Sequence, residues 1–282
     1  MRLPPWLTKR MPPPYVMEEM EKLIKNLSLH TVCQEAHCPN IGDCFSRKTA
    51  TFMILGNCCT RNCSFCAVKK GIPSPPAPEE PENVAKAVSK LKLNYVVITS
   101  PTRDDLPDGG AKQFARVISS IRKLCGEEIY IEVLIPDFAG SFSSLQKVLE
   151  AKPFVLNHNL ETVPRLYPRV RPGAEYRRSL RLLERCKRID PGIYTKSGLM
   201  VGLGETKDEV IRVMKDLRTT GCDILTIGQY LRPSSKHLEV REFIPPAVFN
   251  HYREIASSLG FLHVASSPFV RSSYMARDWL TG

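Results

Sequence analysis

No hydrophobic run in this chain approaches the length of a membrane span, no segment repeats with a fixed period, and no tract has low complexity. The first absence argues against a spanning helix and the second against a solenoid. With 43% hydrophobic residues, the third argues against disorder. An apolar leader is missing as well: Lys9 and Arg10 are followed by Pro12, Pro13 and Pro14, so a soluble, cytoplasmic protein is expected. Acids are scarce beside bases, 29 against 40, and the resulting charge of +11 favours an acidic partner, whether nucleic acid or protein. Without a secretory signal, ten cysteines read as metal or redox chemistry and not as a disulfide framework.

Cysteine is what the chain has in abundance. Seven of the ten fall between residues 33 and 66, six of them in two triplets: Cys33, Cys38 and Cys44 as C-x4-C-x5-C, then Cys59, Cys63 and Cys66 as C-x3-C-x2-C. Each triplet is one ligand short of a four-iron cluster, so each holds three irons by thiolate and leaves a fourth position for something else. A zinc site would pair two short hooks into a tetrahedron, and only Cys63 and Cys66 have that spacing. Cys58 adjoins the second triplet and offers a C-x4-C-x2-C register. Cys125, Cys186 and Cys222 lie on expected helices or at a strand start, where cysteine acts as a small buried apolar residue.

Residues 1–50 read as an irregular lead-in with one short amphipathic helix, on which Met20, Leu23, Ile24 and Leu27 repeat at helical spacing. From residue 51 short apolar runs alternate with amphipathic segments, the rhythm of βα units on a parallel sheet. Strands are expected at Thr51–Leu55, Tyr95–Thr99, Ile129–Leu134, Phe154–Asn157, Thr195–Val201 and Ile224–Gly228. Helices are expected over 82–92, 111–124, 142–151, 175–188, 207–219 and 246–259. Six units are too few for a closed eight-stranded barrel, so the expected α/β architecture is a partial (β/α)6 barrel with its site at the carboxyl ends of the strands. Three parts follow: an extension over 1–50 carrying the first triplet, the barrel over 51–245, and a helix with a terminal extension over 246–282. The second triplet sits directly after the first strand of the barrel.

The run Cys59-Thr-Arg-Asn-Cys63-Ser-Phe65-Cys66, with an aromatic before its last cysteine, resembles the motif of the radical S-adenosylmethionine superfamily. That resemblance implies a [4Fe-4S] cluster whose open iron binds S-adenosylmethionine and cleaves it to a 5′-deoxyadenosyl radical, because no side chain removes hydrogen from an unactivated carbon. Cys33-Gln-Glu-Ala-His-Cys38-Pro-Asn-Ile-Gly-Asp-Cys44, Arg103-Asp-Asp-Leu-Pro-Asp-Gly-Gly110, Gly202-Leu-Gly-Glu-Thr206, Thr226-Ile-Gly-Gln-Tyr230 and Arg271-Ser-Ser-Tyr274 narrow the match. With them the chain resembles the lipoyl synthase family from about Trp6 to about Tyr274. Ala67 and Ser267 depart from the residues common at those places.

The family implies that Cys33, Cys38 and Cys44 hold an auxiliary [4Fe-4S] cluster completed by Ser273, with Ser272 as the other choice. In that scheme His37 supports the ligands without being one. The auxiliary cluster then serves as the sulfur source for insertion at C6 and C8 of an octanoyl group on a lysine of a lipoyl carrier protein or domain, at two S-adenosylmethionine molecules per product. No catalytic side chain is singled out, because the clusters and the cosubstrate carry the chemistry in that scheme. Contacts to S-adenosylmethionine are expected from Phe65, from Ser100 and Thr102 after the second barrel strand, and from Gly198, Met200 and Glu205. The glycines there serve equally for a tight turn, and Glu205 for the start of the next helix.

An electron donor and an iron-sulfur cluster carrier complete the expected partners, with neither nucleic acid nor membrane among them. Residues 165–188, with eight arginines and one lysine against Glu175 and Glu184, are a solvated helix face or a dock for an acidic carrier domain. Within that run, Arg169 and Arg171 are available for a carboxylate. Two rival readings fit parts of the pattern: a radical methylthiotransferase acting on RNA, and a non-catalytic zinc protein binding nucleic acid through its basic surface.

Overall fold

The structure is a computed structural model that describes residues 3–9 and 13–280, so Arg10 and Pro12 of the proline-broken lead-in lie outside the described residues. The chain divides into two units, one of Met11–Arg61 and Ala67–Leu156, the other of Met1–Arg10, Asn62–Cys66 and Asn157–Gly282.

In the first unit, α1 (Pro14–Asn26) starts on a proline, which the first helical position tolerates, and buries Met20 and Ile24 of the expected stripe. The rest of the lead-in is more ordered than its sequence promises. It forms β1 (His30–Thr31) and two short helices, α2 (Val32–Glu35) and α3 (Ile41–Ser46). Thr31 caps α2 by accepting from the Gln34 amide at 3.4 Å. These pieces are too short to show a periodicity, which is why the pattern reads as irregular.

Next come β2 (Thr51–Met53) and the two-residue pair β3 (Cys58–Cys59) and β4 (Lys69–Lys70), followed by α4 (Glu80–Lys90) and β5 (Tyr95–Thr99). The series continues with α5 (Ala111–Cys125), β6 (Tyr130–Leu134), α6 (Phe142–Glu150) and β7 (Val155–Asn157). Strand β1 runs antiparallel to β2, while β2, β5 and β6 are parallel neighbours. Met53, Thr99 and Leu134 stand level in the register, so the loops opening at Ile54, Ser100 and Ile135 leave the sheet from one edge. β5 is buried along its whole length, as a parallel strand covered on both faces must be. Phe114, Val117, Ile118 and Ile121 of α5 are fully buried, each contributing on the order of 1.5–3 kcal/mol.

In the second unit, α7 (Tyr167–Val170) and α8 (Tyr176–Ile189) lead into β8 (Tyr194–Val201), α9 (Lys207–Thr219), β9 (Ile224–Gln229), α10 (Pro246–Ser258) and β10 (His263–Ser266). β8, β9 and β10 are parallel neighbours. The α9 helix opens on a capping box between Thr206 and Glu209, so its start belongs to Thr206 and not to Glu205.

Each of the six expected strands and six expected helices is present. The differences are local. Leu55 falls outside its strand because its backbone is left-handed, φ +67°, and its amide turns to Glu80. β10 escapes the sequence reading because its four residues, His-Val-Ala-Ser, form a short stretch with one buried side chain.

Candidate functional site

The first triplet lies on the two short helices of the first unit. Cys33 sits in α2, Cys44 in α3, and Cys38 between them, its amide on the Cys33 carbonyl at 3.0 Å and its carbonyl accepting from Ile41 at 3.2 Å. Burial pushes the Cys33 thiol up to about 12, a backbone bond to Thr51 lowers it, and the charges of Cys38 and Cys44 raise it further. The three sulfurs therefore share one electrostatic neighbourhood, and a soft metal entering it displaces the Cys33 proton. An all-thiol donor set is what iron-sulfur clusters take. His37 takes φ +50° at the turn between the helices, a backbone role. Among the described residues no three His, Cys, Asp or Glu groups stand together to hold a single metal ion, so the fit rests on donor chemistry and spacing.

Two clamps built on the little-exposed side chains of Arg103 and Arg61 hold the chain on either side of Cys59. On its N-terminal side, Glu80 accepts the Leu55 amide at 2.9 and 3.0 Å, and Arg103 donates to the Leu55 carbonyl at 2.9 Å. The Arg103 side chain is 1% exposed and is braced by Asp105 at 2.8 Å. Gly110 takes φ +92°, and a Cβ there would collide with the Leu55 side chain, which explains the glycine. On the other side, Arg61 donates to Asp104 at 2.7 and 2.9 Å and to Asp137 at 2.6 Å, while its amide meets Cys59 Sγ at 3.4 Å. Thr60 adds a bond from its amide to the Thr102 carbonyl at 3.0 Å. The 103–110 segment thus positions the cysteine loop. Cys58 is buried beside Gly71, whose added Cβ would lie 3.7 Å from its sulfur, so it faces packing.

Cys63 and Cys66 belong to the second unit, where the Cys66 amide closes a turn on the Cys63 carbonyl at 3.3 Å. Ser64 ties that turn down through its amide to Val170 at 3.0 Å and its hydroxyl to the Arg169 carbonyl at 2.8 Å. His237 reaches the Cys66 carbonyl at 3.1 Å, and Phe65 is half-buried. Arg171 is close enough for the Cys63 charge to act on it, and donates to the carbonyls of Asn159 and Leu160 at 2.9 and 3.0 Å.

A polar constellation that the sequence reading missed surrounds Gly198. The Glu161 amide bonds the Gly198 carbonyl at 2.9 Å, and the Met200 amide bonds the Glu161 carbonyl at 2.8 Å. Ser272 donates to Asn159 Oδ1 at 2.8 Å, and a Cβ on Gly198 would stand 2.7 Å from Ser272 Oγ and Thr226 Oγ1 and 2.9 Å from Asn159. Asn159 also donates to Glu161 at 3.0 Å. Burial raises the Glu161 carboxyl above its ordinary value, against the lowering charge of Arg171, the Asn159 bond and the charge of Arg271. The signal available beforehand was the mostly polar segment His158–Thr162 directly after a strand.

Of the residues expected to touch S-adenosylmethionine, Gly198 and Met200 thus share this constellation. Ser100 and Thr102 follow β5 in the first unit, and Ser100 Oγ is buried with no hydrogen-bond partner among the described residues, an orphan that a ligand would satisfy. Glu205 instead folds back on its own loop, taking the amides of Gly202 at 2.5 Å and Leu203 at 2.9 Å. Burial raises its carboxyl, which those amides oppose. Gly202 and Gly204 make the left-handed turn that this requires.

The parallel α/β fold, with a cysteine loop leaving the carboxyl edge of its strands, defines a radical S-adenosylmethionine enzyme, and residues 53–217 match the family described as the Radical SAM superfamily. Solved structures of similar fold include methylornithine synthase, at TM-score 0.57 and 15% identity over 92% of this chain and 87% of that one. Streptococcus suis SuiB bound to its precursor peptide aligns at 0.59 and 11% over 95% and 57%, and both likenesses speak for fold alone. The lipoyl synthase of Caldanaerobacter subterraneus subsp. tengcongensis is 59% identical over 279 residues, 98% of this chain and 96% of its own length. That of Caldicellulosiruptor saccharolyticus is 59% identical over 275 residues, at 98% and 96% coverage. The chain belongs to the lipoyl synthase family, and is therefore a radical S-adenosylmethionine sulfurtransferase that uses a [4Fe-4S] cluster and that cosubstrate. Among the described residues no helix is long and apolar enough to cross a membrane.

Proposed function

We propose that this enzyme inserts two sulfur atoms, at C6 and C8, into an octanoyl group carried on a lysine of a cytoplasmic lipoyl carrier protein or domain. Cys59, Cys63 and Cys66 are the ligands of the cluster that binds S-adenosylmethionine. Cys33, Cys38 and Cys44, with Ser273 from the far end of the chain, are the ligands of a second [4Fe-4S] cluster. When bound, the first cluster and its cosubstrate supply hydrogen abstraction, and the second supplies the sulfur. An external electron donor and a cluster carrier serve the two centres, and neither nucleic acid nor membrane takes part. The three-part division at residues 50 and 245 belongs to the same reading.

The chain's own residues prepare these sites. Arg61 and Arg103, each held by carboxylates, support the backbone on both sides of Cys59. Ser100, with its orphaned hydroxyl, and Thr102 contact the cosubstrate from the loop after β5. Gly198, Met200, Phe65 and Glu205 complete its surroundings, Gly198 by leaving open backbone among Asn159, Thr226 and Ser272. What carries the reading is membership of the lipoyl synthase family together with the two cysteine triplets, and the hydrogen bond from Ser272 to Asn159 favours Ser273 as the oxygen ligand of the Arg-Ser-Ser-Tyr segment.

The test is anaerobic reconstitution with iron and sulfide, then S-adenosylmethionine, a reductant and an octanoyl-lysyl peptide, read by mass spectrometry. Dithiolated peptide and deoxyadenosine are expected. Unmodified peptide, with both clusters confirmed by iron counting, refutes the reading. Ser273→Ala is expected to keep deoxyadenosine formation and lose sulfur insertion, and unimpaired insertion moves the ligand role elsewhere.

A further inference from the structure

The arginine-rich run separates into two groups of different use. Arg165 is paired with Glu209 at 2.8 Å, Lys187 with Asp223 at 2.7 Å and Arg178 with Glu175 at 2.8 Å, while Arg171 is spent on backbone carbonyls. These charges are taken up by partners within the chain. Arg177, Arg181 and Arg188 of α8 are exposed. At 3.6 residues per turn they fall, with Glu184, within an arc of about 60°. Glu184 is the one acid on that face and is bonded to Arg188 at 2.8 Å. Arg177 and Arg181 are like charges one turn apart, an arrangement that costs helix stability, and among the described residues neither has an ion-pair partner.

This face lies in the same unit as the Cys63–Cys66 turn and is joined to it by contacts. Ser64 bonds the carbonyl of Arg169, itself exposed, and Tyr167 of α7 meets Tyr176, the first residue of α8, edge to face at 5.5 Å between ring centroids. Tyr176 also donates to Asp216 at 2.7 Å, setting α8 against α9, whose Arg212 and Lys215 are exposed too. A cationic surface therefore begins beside the cysteine turn and continues along a helix packed against α9.

We propose that the outward face of α8, Arg177, Arg181 and Arg188 with Arg169 at its near end, docks an acidic surface of the folded carrier domain and so brings the octanoyl-lysine arm to the cysteine turn. The proposal rests on the sulfur-insertion reading above. Guanidinium forks match carboxylates and phosphates alike, and membership of a family that acts on a lipoyl carrier favours the protein. Rim charges of this kind steer encounter and set salt dependence.

The experiment compares an octanoylated carrier domain with an octanoyl-lysyl peptide as substrates of the reconstituted enzyme. The charge-reversal pair Arg177→Glu with Arg181→Glu is expected to raise KM for the carrier domain about tenfold or more, leaving kcat and the peptide KM unchanged. The neutral pair Arg177→Gln with Arg181→Gln gives a smaller rise in the same direction. In the wild type, added salt raises KM for the domain and not for the peptide. Unchanged carrier KM in an active charge-reversal variant overturns the proposal, as does loss of peptide and carrier turnover together in both variants. Lost RNA binding with unchanged carrier KM assigns the face to nucleic acid and overturns it as well. A wild type inactive on the peptide removes the sulfur-insertion reading and this proposal with it, an outcome distinct from the other three.

Discussion

Removing Arg61 tests how the cysteine loop is held. Its side chain is 9% exposed and meets two carboxylates of different character: Asp104, 38% exposed, and Asp137, 1% exposed. Without the guanidinium, Asp104 rehydrates, and an exposed pair of that kind is worth about 0–1 kcal/mol. Asp137 cannot rehydrate. Its carboxylate also accepts from the Ala139 amide at 3.1 Å, and breaking a buried ion pair by removing one partner costs about 3–5 kcal/mol. Arg61→Ala is therefore expected to destabilise the first unit by about 3–5 kcal/mol, against about 1 kcal/mol or less for Asp104→Ala. Asp137→Asn, which keeps the shape and one acceptor, should fall between them. Anaerobic urea titration of the reduced, metal-free protein, followed by circular dichroism, measures all three. Equal losses in Arg61→Ala and Asp104→Ala refute the reasoning, because the cost would then not come from the buried carboxylate.

Gly198→Ala inserts a methyl group 2.7 Å from Ser272 Oγ and Thr226 Oγ1, and overpacking of this sort costs about 1–3 kcal/mol; a thermal midpoint equal to the wild type argues against the packing described. Glu209 behaves differently with pH. The Arg165 guanidinium, followed by the Thr206 amide, holds its carboxyl down at about 2, below an unfolded value of about 4.3. Its contribution to stability is complete above about pH 4.3 and is lost as pH falls toward 2. Glu209→Gln should therefore flatten the stability profile across that window, and thermal midpoints recorded from pH 5 to 2 with the same slope in both proteins count against the pairing.

Much of this was legible because helices and parallel strands are local patterns. The stripe Phe114, Val117, Ile118 and Ile121 and the apolar run Tyr95–Thr99 declare their partners' geometry before any partner is known. Legibility failed where elements are shorter than their own period, as in α2 and α3 around the first triplet, and at β10. Periodicity is silent too on what a polar side chain in a loop will bond. Glu205 reads as a contact to the cosubstrate or the start of a helix, and its carboxylate accepts from the amides of Gly202 and Leu203. Asn159 and Glu161 lie in a short polar loop that carries no periodicity and was not singled out.

The amino-acid sequence by itself determined the kind of chemistry, because ligand spacing is a covalent property: three thiols within twelve residues, or within eight, stay near one another in any fold. It also determined the α/β class, since alternating periodicities leave few ways to bury both faces of a sheet. Tertiary structure alone decided which charges serve the loop and which face outward. Arg61 finds Asp104 across 43 residues and Asp137 across 76, and Ser272 finds Asn159 across 113. Such pairings depend on which loops leave the sheet at the same level, and that follows from strand register, which no single segment encodes.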